Sequence, residues 1–223
     1  MKKTVVLALS GGMDSSTVVG YYYNLNYNIH PLFFNYGSKH NKYEIESSKK
    51  ISEYFNTNPL KIVNLDFIGD LFKSNLLLTQ GEIPEGHYND SNMSLTVVPG
   101  RNSIFITIMA GYAESIEADT IAVGTHRGDH QIYPDCRPIF ISAMNTSILA
   151  STEGKVHIET PIQKLDKTGI LQMGLRFYKS VPYELTRTCY KDQPLSCGKC
   201  GSCSERLEAF KNIGEKDPIL YER

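Results

Sequence analysis

Two groups of residues have the types and spacing of chemical sites. The first is Ser10-Gly11-Gly12-Met13-Asp14-Ser15-Ser16, which follows an apolar run at 5–9 and precedes a helical pattern. Paired glycines let a backbone turn sharply and come close to an anion. A helix starting just after them aims its free N–H groups and the positive end of its dipole at that anion. Ser10, Ser15 and Ser16 add hydroxyl donors. The string is neither a Walker A loop, GxxxxGKS/T, nor GxGxxG. The second group is Cys189, Cys197, Cys200 and Cys203, four of the five cysteines, crowded into 189–203. Four thiolates at this spacing are a standard tetrahedral zinc set. Glycines at 198 and 201 follow two of them and ease the tight chelate turns. Closed structural zinc is favoured over an iron–sulfur cluster, with redox chemistry third.

An odd cysteine total, a CxxCxxC run and no export signal argue for metal rather than disulfides, and for a cytoplasmic location. The N-terminal MKKTVVLAL is too short in its apolar part for a signal peptide and reads as a first strand. No window approaches the length of a membrane span, so no membrane partner is expected. Lys plus Arg is 23 against 24 for Asp plus Glu, so no direct nucleic-acid binding is expected either. The Asn-x-Ser/Thr triplets at Asn92 and Asn145 read as chance matches.

These groups need a scaffold, and the chain supplies an alternating one. Strands are predicted at 4–9, 29–34, 60–65, 120–123 and 156–159. Helices are predicted at 15–23, 43–55, 102–116, 138–149, 166–178 with Asp166 as N-cap, and 205–212. Alternation of this kind means βαβ units and a mostly parallel sheet. Residues 66–100 break the rhythm with glycines, prolines and polar side chains and read as a long functional loop. At 223 residues, one domain with a small appendage is expected: 1–180 for nucleotide binding and 181–223 for zinc, packed on it.

The string SGGxDS matches the pyrophosphatase loop of the ATP-pyrophosphatase family. Three more strings narrow the resemblance: Val98-Pro99-Gly100-Arg101-Asn102, Tyr133-Pro134-Asp135-Cys136-Arg137, and Val181-Pro182-Tyr183-Glu184-Leu185-Thr186 ahead of Cys189-Tyr190. Together with the cysteine cluster they resemble the 7-cyano-7-deazaguanine synthase family over nearly the whole chain. The resemblance implies an α/β, Rossmann-like doubly wound parallel sheet of the adenine nucleotide alpha-hydrolase type with a small C-terminal zinc-binding subdomain. It implies a homodimer, one structural zinc per chain, and magnesium entering with ATP. It also implies conversion of 7-carboxy-7-deazaguanine and ammonia to the nitrile through an adenylate and an amide. ATP contacts then fall on Leu9, Ser10, Gly11, Gly12, Met13, Asp14, Ser15, Ser16, Thr17 and Arg101. Departures from the family pattern are Ile139 and Gly169, where glutamate is frequent, and Arg187, where tryptophan is frequent.

Residue chemistry adds roles beside the resemblance. Arg101 carries a fork of donors suited to phosphate or carboxylate. An isolated Asp14 beside a triphosphate would repel it, so magnesium is its expected partner. Asp135 and Arg137 follow the fourth strand on a loop where a carboxylate suits the guanine-like amidine edge. Cys136 reads as a small, partly buried thiol. His126, Asp129 and Tyr133 on the same stretch are weaker substrate candidates, the histidine being solvated or in contact with substrate. Lys167 opposes the dipole at a helix start and is better placed facing phosphate. The competing readings are another pyrophosphatase-loop enzyme, such as a tRNA thiolase or lysidine synthetase, and a non-enzymatic zinc-ribbon module.

Overall fold

The computed structural model describes residues 2–78, 81–86 and 91–222, without the side chains of 91 and 92. Five strands form one parallel sheet: β1 (Thr4–Ala8), β2 (Asn28–Asn35), β3 (Lys61–Asn64), β4 (Thr120–Ala122) and β5 (His157–Glu159). Their order across the sheet is β3-β2-β1-β4-β5. Register runs Val5 opposite Ile29 on one side of β1 and Val5 opposite Thr120 on the other. Successive side chains of a strand point to opposite faces. Val5 and Leu7 therefore pack under α1 (Met13–Asn24), α2 (Asn41–Tyr54), α6 (Lys167–Arg176) and α7 (Gly201–Asn212). Val6 packs on the other face under α3 (Phe67–Leu71), α4 (Arg101–Ser115) and α5 (Pro138–Ser151). Helices on both faces make the sheet doubly wound. Among the described residues, no helix is long and apolar enough to cross a membrane.

The strand order places the site. From β1 the chain winds outward through β2 and β3, then crosses back to β4 on the far side of β1. Open α/β sheets bind ligands outside the carboxyl ends of the strands where the winding reverses. Here the loops after β1 and β4 meet at that point. A Cβ on Gly124 would lie 3.5 Å from the Ser15 backbone nitrogen.

All five predicted strands and the six predicted helices are present, with shifted ends. The first helix begins at Met13 rather than 15, because its N-cap is Gly12 in extended conformation (φ −75°, ψ 170°). The last begins at Gly201 rather than 205, with Cys200 as N-cap, so Cys203 is helical. Asp166 does cap α6, accepting from the Gly169 N–H at 2.8 Å, and that helix ends at Arg176 instead of 178. The expectation of a structureless 66–100 is corrected. It contains α3, which buries Ile68, and a 3-10 helix at Ser91–Thr96; residues 79–80 and 87–90 lie outside the described residues. Short one-turn elements carry too few residues for a period, which is why composition alone reads as loop. The Asn92 triplet likewise involves a side chain outside the described residues. Asn145 is structural, its Oδ1 accepting the Ile158 N–H at 2.7 Å.

Candidate active site and metal centre

The 10–16 string forms the turn between β1 and α1. Gly11 sits at φ +74°, the left-handed region. A Cβ there would come within 2.6 Å of Ser47 Cβ and of the Ser48 nitrogen, because the first turns of α2 close over it. Gly12 has no capping side chain for α1, which leaves the helix N–H groups available to an anion. Ser10 and Ser15 tie the loop to itself through an Oγ–Oγ contact of 3.1 Å and a bond from the Ser10 N–H to Ser15 Oγ at 3.2 Å. Leu9, Ser10, Gly12, Met13, Asp14 and Ser15 line a cavity of about 230 Å³. Ser16 and Thr17 are fully buried and outside it; Thr17 Oγ1 meets the Tyr183 hydroxyl at 2.8 Å.

Asp14 is not isolated. Lys167 Nζ donates to its two carboxylate oxygens at 2.9 and 2.7 Å. Burial opposes the charge on Asp14, but Lys167 and then His126 outweigh it and hold the carboxyl below the usual carboxylate range. Burial also opposes the charge on Lys167, yet Asp14, Glu205 and Asp129 raise it well above an ordinary lysine. Glu205 of α7 lies 3.1 Å from Lys167 Nζ, and its own carboxyl is pushed up by burial. Lys167, expected to face phosphate, lines the same cavity and donates to the Asp14 carboxylate there. His126 is buried rather than solvated. Its Nδ1 accepts the Gly128 N–H at 3.0 Å, and its Nε2 lies 3.1 Å from Lys167 Nζ, 3.6 Å from Asp14 and 3.5 Å from Asp129. Asp129 in turn accepts the His126 backbone N–H at 3.2 Å.

The second wall of the cavity comes from α4 and the loop after β4. The Arg101 guanidinium lies 5.5 Å from the Tyr36 ring centre and donates to the Tyr36 hydroxyl at 3.2 Å. Tyr133 lines the cavity, with its hydroxyl 2.8 Å from Thr96 Oγ1. Asp135 is occupied elsewhere: its Oδ2 accepts the Asn102 N–H at 3.1 Å in the first turn of α4. Arg137 is exposed, and its Nε donates to the His130 carbonyl at 2.8 Å. Neither is among the residues lining the cavity. Cys136 is buried and burial lifts its thiol far above an ordinary cysteine, so it is no nucleophile as placed.

His40, Glu44, Tyr36, Thr125, Arg187, Tyr190 and Ser202 also line the cavity and were missed by sequence reasoning. One signal was available for the first group. The segment from Tyr36 follows β2, and every parallel strand delivers its carboxyl end to the same rim.

The sulfurs of Cys189, Cys197, Cys200 and Cys203 all lie within 4.8 Å of one another, and all four residues are buried. Backbone N–H groups of Cys197 and Cys200 point at sulfur at 3.3 Å, favouring thiolate. A hydrogen bond from Cys189 pushes the Cys197 thiol down, while the same neighbour pushes Cys200 and Cys203 up. Four thiolates held this close would repel one another, so a cation between them suits the cluster. Gly198 at φ +70° makes the turn that returns Cys200 to the cluster. Buried, all-sulfur and four-fold, the donor set fits zinc.

Comparison with known proteins agrees with this geometry. The family profile described as queuosine biosynthesis protein QueC matches residues 3–214. A 7-cyano-7-deazaguanine synthase of Caldicellulosiruptor saccharolyticus is 46% identical over 217 residues, covering 97% of this chain and 95% of that protein. One from a Marinomonas species is 42% identical over 222 residues, covering 100% of each. Among solved structures, an NMN synthetase from Francisella tularensis shares the fold with a TM-score of 0.54 at 14% identity, covering 96% of this chain and 79% of that one.

Proposed function

The chain belongs to the QueC family of queuosine biosynthesis proteins, and we propose that its cleft is where ATP drives the making of 7-cyano-7-deazaguanine. The activity is that of a 7-cyano-7-deazaguanine synthase, an ATP-dependent ligase. The observation that carries the placement is the uncapped start of α1 beside Ser10, Asp14 and Lys167, at the point where the sheet's winding reverses.

Triphosphate binds the α1 amino terminus, with Ser10 and Ser15 hydroxyls and Arg101 as further donors. A carboxylate of 7-carboxy-7-deazaguanine attacks the α phosphorus, pyrophosphate leaves, and an adenylate forms. Ammonia displaces AMP to give the amide. The amide oxygen then attacks the α phosphorus of a second ATP, pyrophosphate leaves, and loss of AMP and of the two amide N–H protons leaves the nitrile. Each oxygen thus departs in AMP. Preorganised donors act on charge that develops at the phosphorus, where they are worth most. Asp14 and Asp129 are the residues that would hold magnesium, whose charge neutralises the phosphates. Lys167, beside Asp14 on the cavity wall, would add a cationic donor to the phosphates.

One structural zinc per chain occupies the four-cysteine cluster, and the thiols it needs imply the cytoplasm. We read 181–223 as a zinc-bearing part on a nucleotide-binding 1–180. Val181, Tyr183, Ala209 and Phe210 share one apolar core with α1 and α6, which supports close packing of the two. A homodimer is supported by α5, which has no charged residue and leaves Ile139 79% exposed.

The test supplies synthetic 7-amido-7-deazaguanine with ATP and magnesium but no ammonia. The nitrile should form, and oxygen-labelled carboxylate should deliver its label to AMP. Asp14→Ala should slow turnover about a hundredfold, roughly 3 kcal/mol. Label in inorganic phosphate, or an amide never consumed, overturns the sequence of steps.

A further inference from the structure

We propose that Arg187 is a positioning residue that couples the zinc-bearing segment to the phosphate loop. The inference rests on reading 10–16 as the ATP loop and the four cysteines as the zinc site. Arg187 stands where the family pattern often has tryptophan, two residues ahead of the first cysteine ligand. It is buried at 7% exposure.

Its side chain organises one turn. Nη1 donates to the Pro194 carbonyl at 3.1 Å, and Nη2 donates to the Lys191 and Gln193 carbonyls at 2.9 and 2.8 Å. All three carbonyls lie between Cys189 and Cys197, so the span joining the first two zinc ligands is folded around a single guanidinium. Only a planar fork reaches three acceptors at once, and an acceptor buried without its donor costs more than the bond was worth. The guanidinium also lies 4.7 Å from the Tyr43 ring centre on α2. The same helix closes over Gly11 through Ser47 and Ser48.

Its backbone holds the other end. The Arg187 N–H donates to the Gly11 carbonyl at 2.8 Å, at the residue whose positive φ shapes the loop. Neighbouring Thr186 and Thr188 are held by Nη1 of Arg206 on α7 at 2.6 and 3.1 Å, so 186–188 cannot shift independently. Loss of the metal frees the Cys189–Cys197 span, removes the acceptors that fix Arg187, and loosens its grip on Gly11. Coupling of two binding sites is reciprocal: a ligand at the loop must tighten zinc by the factor by which zinc tightens that ligand.

The experiment uses the full chain loaded with zinc and an ATP analogue whose α–β bridge is methylene. Analogue binding is measured by calorimetry. Zinc affinity is measured by competition with a chelator, with and without saturating analogue. For the parent, saturation should raise zinc affinity at least about fivefold. In Arg187→Leu and Arg187→Lys, which still bind both ligands, the gain should fall below about twofold; lysine keeps the charge but not the fork. A variant that keeps the parent's gain overturns the proposal, as does a parent that binds analogue with no gain in zinc affinity. If neither variant folds, the parent measurement decides alone. A parent that fails to bind the analogue removes the ATP-loop reading itself, and with it the premise of the coupling.

Discussion

Lys167 sets the charge state of the cleft, since it faces Asp14 at 2.7 Å and Glu205 at 3.1 Å, with Asp129 also raising its affinity for the proton. Removing the cation of a partly buried cluster leaves carboxylates uncompensated, which costs about 3 kcal/mol. Lys167→Met should therefore lower stability by about that amount near neutral pH. The pH dependence has a definite sign. Asp14 has a folded pKa below its ordinary 3.8, so its contribution is present above that value and is lost as pH falls through the lower one. Lys167 has a folded pKa above its ordinary 10.5, so its contribution is present below that value and is lost only as pH rises through the higher one. The deficit of Lys167→Met should be largest between about pH 4 and 10 and shrink in acid. Denaturant titrations of parent and variant across that range check it; a deficit independent of pH in acid would show that the pair is not ionic. Sequence reading named Asp14, His126, Asp129 and Lys167 one by one. It took Asp14 as isolated because its partner lies 153 positions away.

At the scale of elements, small residues carry the packing of α1 on α6. A Cβ on Gly174 would sit 2.1 Å from the Tyr183 hydroxyl, which bridges Thr17 Oγ1 on α1 at 2.8 Å and the Ile170 carbonyl on α6 at 3.2 Å. An alanine in an open helical position stabilises by up to about 1 kcal/mol relative to glycine. At 174 the sign should reverse: Gly174→Ala must expel a buried ring hydroxyl and its two bonds, at about 1–3 kcal/mol. Gly111→Ala is the control, since its Cβ meets nothing within 4 Å, and it should hold or raise the melting temperature. Equal shifts in the two variants would refute the packing argument. Strands and long helices were legible because their apolar periods extend over several residues. The one-turn helices at Arg127–Gln131 and Tyr183–Leu185 were not, since the first is held by the His126–Asp129 capping box and the second by distant partners such as Thr17 on the Tyr183 hydroxyl, rather than by a period.

For the molecule as a whole, the cysteine cluster stitches the C-terminal segment together. Cys200 caps α7, and Cys189 lies beyond the span held by Arg187. Replacing Cys189, Cys197, Cys200 or Cys203 by serine should each lower zinc content below one per chain and reduce the folded yield, because structural zinc contributes directly to folding. Cys136→Ser should keep its metal, as that thiol packs with Tyr133 in a cluster apart from the four other cysteines. Elemental analysis of purified variants checks both, and iron in place of zinc would refute the assignment. The sequence by itself determined the local chemistry: an anion-binding turn, a four-thiolate cluster, and alternating strands and helices that require a parallel sheet. These are patterns of spacing within short windows, and short-range sterics enforce them wherever the chain goes. Only the tertiary structure decided which loops share a cavity. Strand order sets β4 beside β1, and so brings His126 to Asp14, with Asp129 against the same imidazole; the packing of α6 and α7 brings Lys167 to that carboxylate and Glu205 to Lys167. Arg187 reaches Gly11 in the same way. Such meetings depend on burying apolar faces far apart in the chain, and no local pattern around either partner records them.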